Sequence, residues 1–237
     1  MCYKVTQAKK LVEYVKFYVA PTIQEQYEKE AFFQANGFAH PQLLTITSKD
    51  GVRQSEMMQW GLIPNWKRPY ADMLKHSNNT LNAKSETIFD LASFKGSINK
   101  FRCILPVEGF FEYKHVEKDK LPFFIHPKEN PFFNLAGIYS FYKNPLNDEW
   151  IKSFSIVTGE ANELMASIHN SGKRMPLIID NENIDRWLDP NISKEEINHL
   201  MIPCDDTKMN AYRVNRDLIK MGNTSEAFAP IPPNTLF

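Results

Sequence analysis

Cys2 follows Met1 directly, and that position gives an ordinary cysteine distinctive chemistry. Methionine aminopeptidases act where the second residue is small, a condition cysteine meets. A mature chain beginning at Cys2 would carry a free α-amine beside its thiol. The amine has a reference pKa of about 7.7 to 8.0 and the thiol one of about 8.5, so each is partly nucleophilic near neutral pH. Such a 1,2-aminothiol condenses with an aldehyde to an imine and then closes to a five-membered thiazolidine. It can instead attack an amide carbonyl, with the amine as base.

Other clusters also hold groups suited to chemistry. The run Asn82-Ala83-Lys84-Ser85-Glu86-Thr87 reads as the start of a helix, where backbone N–H groups and a lysine bind an anion. A solvated N-cap accounts for the same run. In Arg102-Cys103-Ile104-Leu105-Pro106-Val107-Glu108-Gly109-Phe110-Phe111-Glu112-Tyr113, strand alternation points Phe111 and Tyr113 one way and Glu112 the other. An apolar lining there would suit Glu112 to general-acid work, and a wet sheet face would leave it exposed. His169-Asn170-Ser171-Gly172-Lys173-Arg174-Met175-Pro176 places a histidine, a glycine and a basic pair in one loop after a helix, where His169 serves for proton transfer or simply as a C-terminal cap. Trp60-Gly61-Leu62-Ile63-Pro64-Asn65-Trp66 sets two indoles around a turn, a pattern that suits base stacking or core packing. His40, His76, His115, His126 and His199 do not pair at metal-ligand spacing, so no metal and no cofactor are expected.

These residues need a scaffold of short strands. Segments rich in β-branched and aromatic residues predict strands at 43–47, 54–60, 101–105, 110–115, 121–126, 132–141, 151–158 and 210–214. The Asn144-Pro145-Leu146-Asn147-Asp148 cluster predicts an antiparallel hairpin between two of them. Helical spacing predicts one or two helices between Gln7 and Glu30, broken at Pro21 and capped by Thr22, and short helices at 85–92, 160–169 and 183–188. Another at 193–201 opens with the capping box Ser193-Lys194-Glu195-Glu196. The expectation is a single α+β domain over residues 1–237, with a mainly antiparallel, barrel-like β core, flanking short helices and an irregular surface tail at 228–237.

Composition narrows the partners. The chain has 237 residues, with 28 Lys or Arg against 28 Asp or Glu, so no global field draws it to nucleic acid or acidic membrane. From Trp60 to Lys120 there are ten Lys or Arg against seven Asp or Glu, a modest local excess. Neither a membrane span nor a signal-peptide core is visible, and the three cysteines are odd in number and widely separated. A cytoplasmic monomer is expected.

Together, Met1-Cys2, W-G-L-I-P from Trp60, N-A-K-x-E-T from Asn82, R-C-I-L-P-x-x-G-F-F-E-Y from Arg102 and the histidine loop ending R-M-P-L-I-I resemble the SRAP family, the SOS-response-associated peptidases or abasic-site processing proteins. The resemblance runs from Met1 to about Leu188. It implies a β-rich α+β domain that sheds Met1 by autoproteolysis, binds single-stranded DNA and captures abasic sites covalently through Cys2 as a thiazolidine, with weak AP lyase activity. It also implies association with the nucleoid when DNA is bound. By motif, Asn82 would orient Cys2, Glu112 would act as acid and base, and His169 would aid sugar ring opening. Lys84 and Arg174 would hold phosphates, and Trp60 and Pro64 would line the DNA cleft. The chain departs from the common family pattern in having Tyr3 and Lys4 after the cysteine, Lys84 for arginine, Tyr113 for tryptophan, and five positions rather than two from His169 to Arg174. The alternatives are an N-terminal-nucleophile cysteine amidohydrolase, which explains Cys2 alone, and a noncatalytic single-stranded DNA-binding module.

Overall fold

The computed structural model describes residues 2–20, 30–66 and 68–231. The proposed break at Pro21 and cap at Thr22, and the end of the tail, lie outside them.

In chain order the first elements are strand β1 (Lys4–Gln7), helix α1 (Leu11–Tyr18) and strands β2 (Phe32–Asn36), β3 (Gln42–Lys49) and β4 (Val52–Trp60). Helix α2 (Tyr70–Ser77), strand β5 (Asn82–Lys84) and helix α3 (Lys95–Ile98) lead into β6 (Arg102–Val107), β7 (Gly109–Val116), β8 (Asp119–Pro127), β9 (Phe133–Lys143) and β10 (Trp150–Glu160). The chain ends with α4 (Glu163–Ile168), β11 (Arg174–Pro176), α5 (Ile184–Leu188), α6 (Lys194–Leu200) and β12 (Met209–Arg213). The alternating apolar runs form their predicted strands because each buries one or both faces. The expected hairpin joins β9 to β10 in antiparallel register from Trp150↔Lys143 to Ile156↔Gly137.

β10 pairs with β4, β4 with β3, β3 with β6, β6 with β9, and β9 with β10, so five strands close on themselves. Closure leaves these strands no open edge over their paired lengths. One face of the barrel wall packs Leu43, Met58, Trp60, Cys103, Leu105 and Phe154 with Cys2 and with Val5 and Phe110 of the second sheet. The other packs Leu44, Ile46, Ile104, Ile138 and Val157 against Tyr14 and Tyr18 of α1 and Trp187 of α5. The second sheet runs β12-β8-β7-β1-β2, which places the start of the chain between β7 and β2. This is a mixed α+β domain built on a closed five-strand barrel.

Two expectations are corrected. Residues 82–84 form a strand and not a helix start, because β10 outruns β4: β4 covers Ser153 and Phe154, and β5 then pairs in parallel with Ile156, Val157 and Thr158. The predicted helix at 85–92 is a series of turns closed by Thr87 N to Lys84 O (3.1 Å) and Asp90 N to Thr87 O (3.1 Å). The helix α3 forms only afterwards. Ser85, Thr87 and Asp90 belong to the residue types that favour turns over helix interiors. The tail is docked at its beginning, where Phe228 packs on Phe33 and Phe124 and Ile231 N donates to Arg213 O.

Candidate active site

The site assembles where the start of the chain meets the carboxyl-terminal half of β10. β1 pairs with β7 through Val5↔Phe110 and Thr6↔Gly109. Continued toward the chain start, this antiparallel register carries Tyr3 alongside Glu112. Cys2 is completely buried. Its carbonyl accepts a 2.9 Å hydrogen bond from Asn82 Nδ2, which joins residues 80 apart in sequence. Burial, and secondarily the charge of Glu112, push the Cys2 thiol far above the ordinary thiol range. The same carboxylate raises Tyr3 and Tyr113, in both cases behind a larger effect of burial.

β5 explains how Asn82 and Lys84 share a face. Alternation sends Ala83 into the core and leaves Asn82 half-buried and Lys84 exposed. Asn82 Oδ1 is buried without a hydrogen-bond partner, so one acceptor stands available beside Cys2. Glu112 is 6% exposed, which decides against the wet-face reading.

β11 lies on the opposite edge of β10, pairing Glu160 with Arg174 and Thr158 with Pro176. The Arg174 guanidinium spans β10 to reach the turn after β5. Nη1 donates to Glu86 Oε1 at 2.6 Å and Nη2 to Glu86 Oε2 at 3.0 Å, and Nη2 also reaches Thr158 O at 2.8 Å. The bidentate contact holds the Glu86 carboxyl below its ordinary range. Arg174 Nε is buried with no acceptor.

The longer histidine loop is absorbed as a tight turn. Lys173 N donates to His169 O at 2.8 Å, and Lys173 has φ 46°. Gly172 lies flat on the imidazole, where an added Cβ would come within 2.8 Å of His169 Cε1. His169 Nδ1 lies 3.0 Å from Arg174 O, so the two residues touch despite their spacing. Asn170 ties the loop to the strand of Glu112, accepting from His115 N (2.9 Å) and donating to His115 O (2.8 Å) as a ladder partner would.

Trp60 and Pro64 are buried and do not line an open cleft. The Trp60 indole stacks on Phe154 at 6.3 Å and donates from Nε1 to Leu81 O at 2.9 Å, as a core residue does. Sequence reasoning gave no role to Glu86, Thr158, Asn170 or Gly172. Glu86 was the most accessible of these, since it shares parity with Asn82 and Lys84. Among the described residues no group of three or more His, Cys, Asp or Glu is placed to hold a metal. No helix among them is long and apolar enough to cross a membrane.

Similarity to known proteins extends over nearly the whole chain. The family model for SOS response associated peptidase (SRAP) matches residues 1–221. The abasic site processing protein YoqW of Bacillus subtilis is 32% identical over 203 residues, covering 81% of this chain and 87% of that protein. The abasic site processing protein HMCES of Gallus gallus is 29% identical over 195 residues, covering 73% of this chain and 56% of that protein. A crystal structure of a Bacteroides thetaiotaomicron protein superposes with a TM-score of 0.90 at 33% identity, covering 98% of this chain and 100% of that one. With a family model matched over residues 1–221 and a closed barrel shared with a solved relative, the chain belongs to the SRAP family.

Proposed function

We propose that this protein processes abasic sites in single-stranded DNA by covalent capture at Cys2, once hydrolysis of the Met1–Cys2 bond has freed the α-amine. The amine adds to the open-chain deoxyribose aldehyde and expels water, giving an imine. The thiol then adds across the C=N bond, its sulfur to carbon and its proton to nitrogen, closing a thiazolidine.

The observation that carries this reading is the Asn82 Nδ2 bond to the Cys2 carbonyl, which fixes the first residue of the mature chain against the end of β10. It positions backbone, and a thiol needed only as filler would not require it. Burial raises the Cys2 thiol, so its proton must pass to a base as the sulfur attacks the imine. Glu112 relays that proton to the nitrogen as the ring closes, and it serves as acid and base during imine formation and reversal. His169 promotes opening of the sugar ring. Lys84 contacts a flanking phosphate first, and Arg174 joins when a phosphate replaces Glu86. Where thiol closure is slow, the imine permits β-elimination of the 3′ phosphate, a weak lyase activity.

The test is a denaturing gel of protein shown by mass spectrometry to begin at Cys2, incubated with single-stranded DNA bearing one abasic site, with undamaged DNA and Cys2→Ala as controls. A heat-stable band that needs both the lesion and Cys2 is expected. Its absence from the confirmed mature protein would falsify covalent capture and favour an amide substrate. Binding that survives Cys2→Ala without any adduct would point to the noncatalytic module.

A further inference from the structure

Tyr3, which follows the nucleophile, does not stand alone. Its ring centroid lies 5.0 Å from that of Phe38 with an interplanar angle of 32°. Tyr3 belongs to the site, since it follows Cys2 and the register of β1 on β7 carries it alongside Glu112. Phe38 is 53% exposed, so the outer side of this aromatic pair opens to solvent. An isolated exposed phenylalanine is unremarkable. What separates Phe38 from Leu146 or Val19 is its contact with the neighbour of Cys2.

The pair is held firmly. Gly37 N donates to Tyr3 O at 2.9 Å, and His40 N closes the single 3-10 turn onto Gly37 O at 2.9 Å. Asn36 Oδ1 accepts from Phe38 N at 3.2 Å. Beneath the turn lies the buried Trp60 indole, and a Cβ on Gly37 would stand 3.2 Å from three of its ring atoms. The indole therefore supports the turn from the core, and Phe38 supplies the exposed aromatic face. At the adjacent position, Lys4 Nζ is directed to Gln34 Oε1 at 2.9 Å.

A base beside an abasic site has lost its stacking partner on the lesion side. An aromatic face near the nucleophile can replace that partner whatever the base, since every base has a π-face. We propose that Tyr3 and Phe38 form a stacking platform for the nucleobase flanking the abasic site, with Phe38 as its contact face. The proposal rests on the abasic-site reading above.

The experiment uses single-stranded oligonucleotides centred on a tetrahydrofuran lesion analogue, which lacks the aldehyde, with 2-aminopurine placed on one side or the other. Binding of the wild-type protein should quench 2-aminopurine on one side. Phe38→Ala should lose the quenching and about tenfold in affinity. Phe38→Leu, which keeps apolar bulk without a π-face, should behave like alanine, and Phe38→Trp should retain the quenching. Equal quenching by wild type and Phe38→Ala, full activity of Phe38→Leu, or no binding by wild type overturns the platform. A parallel gel with a true abasic site separates the two ideas. A Cys2-dependent adduct with unaltered Phe38→Ala quenching sinks only the platform, whereas no adduct sinks the capture reading itself.

Discussion

Cys103 and Arg102 adjoin in the barrel wall, and Cys2 and Arg174 lie in the segments that flank the end of β10 at the candidate site, so the molecule holds the same two residue types in two settings. Both thiols are fully buried and both are raised by burial. The difference lies in their partners. Cys103 Sγ packs against Gly137, where an added Cβ would lie 2.7 Å away. Arg102 donates Nε to Trp187 O (2.7 Å) and Nη1 to Ile98 O (2.7 Å), and Nη2 reaches Asp189 O. Those acceptors are main chain at the ends of α3 and α5 and cannot leave without unravelling those helices. Arg174 instead holds the carboxylate of Glu86, whose side chain is 46% exposed. Burial alone therefore does not mark a functional cysteine or arginine. What separates the two arginines is whether the partner can be exchanged.

The strongest way to break this contrast is at the thiols. Cys2→Ala should abolish the covalent adduct, while Cys103→Ala should keep it within about twofold and lose on the order of 1 kcal/mol of stability for the sulfur removed from a packed wall. Loss of the adduct in Cys103→Ala, with the fold intact by circular dichroism, would contradict the division.

The arginines come next. Arg102→Met removes three donors from main-chain carbonyls, two of those bonds buried, and should cost roughly 3 to 5 kcal/mol in urea unfolding. Burial lowers the Arg102 guanidinium only to about 10, so it is charged at neutral pH and its hydrogen bonds are charge-assisted. Arg174→Gln should cost far less stability and should weaken DNA binding. If Arg102→Met unfolds no more readily than Arg174→Gln, main-chain and carboxylate partners are equivalent and the contrast fails.

Alkaline pH sharpens the comparison further. A thiol raised by burial binds its proton more tightly in the folded state. Its stabilising contribution is complete below the unfolded value of about 8.5 and declines as pH rises above it. Each such group steepens the loss of stability by about 1.4 kcal/mol per pH unit in that range. Cys103→Ala should therefore flatten the profile above pH 9 by about that slope. An unchanged slope would show that water reaches this thiol.

The sequence made the long alternating strands readable because each buries enough surface to override its neighbours. The capping box at Ser193 is formed, with Glu196 N on Ser193 Oγ at 3.2 Å. Asn82–Lys84 misled because three residues carry no period, and the open edge of β10 determined their state. Within the site, Cys2, Asn82 and Glu112 were marked by residue type and motif. The partnership of Arg174 with Glu86 was not, because it joins segments 88 residues apart across a strand. The sequence leaves Trp60 open between stacking and packing because an indole beside a turn has the same signature in a core and on a platform.

The smallest effect concerns that ion pair, and it discriminates most finely. Because Glu86 is so exposed, water and salt screen its attraction for Arg174, and such pairs contribute about 0 to 1 kcal/mol. A DNA phosphate must displace Glu86 to use the same guanidinium edge, since Nη2 is already committed to Thr158 O. Glu86→Gln keeps the shape of the turn and removes the competing charge. Affinity for single-stranded DNA should then rise up to about fivefold at low salt. The plot of log affinity against log salt should steepen by about 0.7, the increment for one more phosphate neutralised on a single strand. At high salt the two proteins should converge, because the added attraction is ionic. The opposite result, weaker binding by Glu86→Gln at every salt concentration, would mean that the carboxylate positions Arg174 for the phosphate instead of occupying its place. The arginine at the site would then be as fixed as the one in the wall, with Glu86 serving it as the main-chain carbonyls serve Arg102.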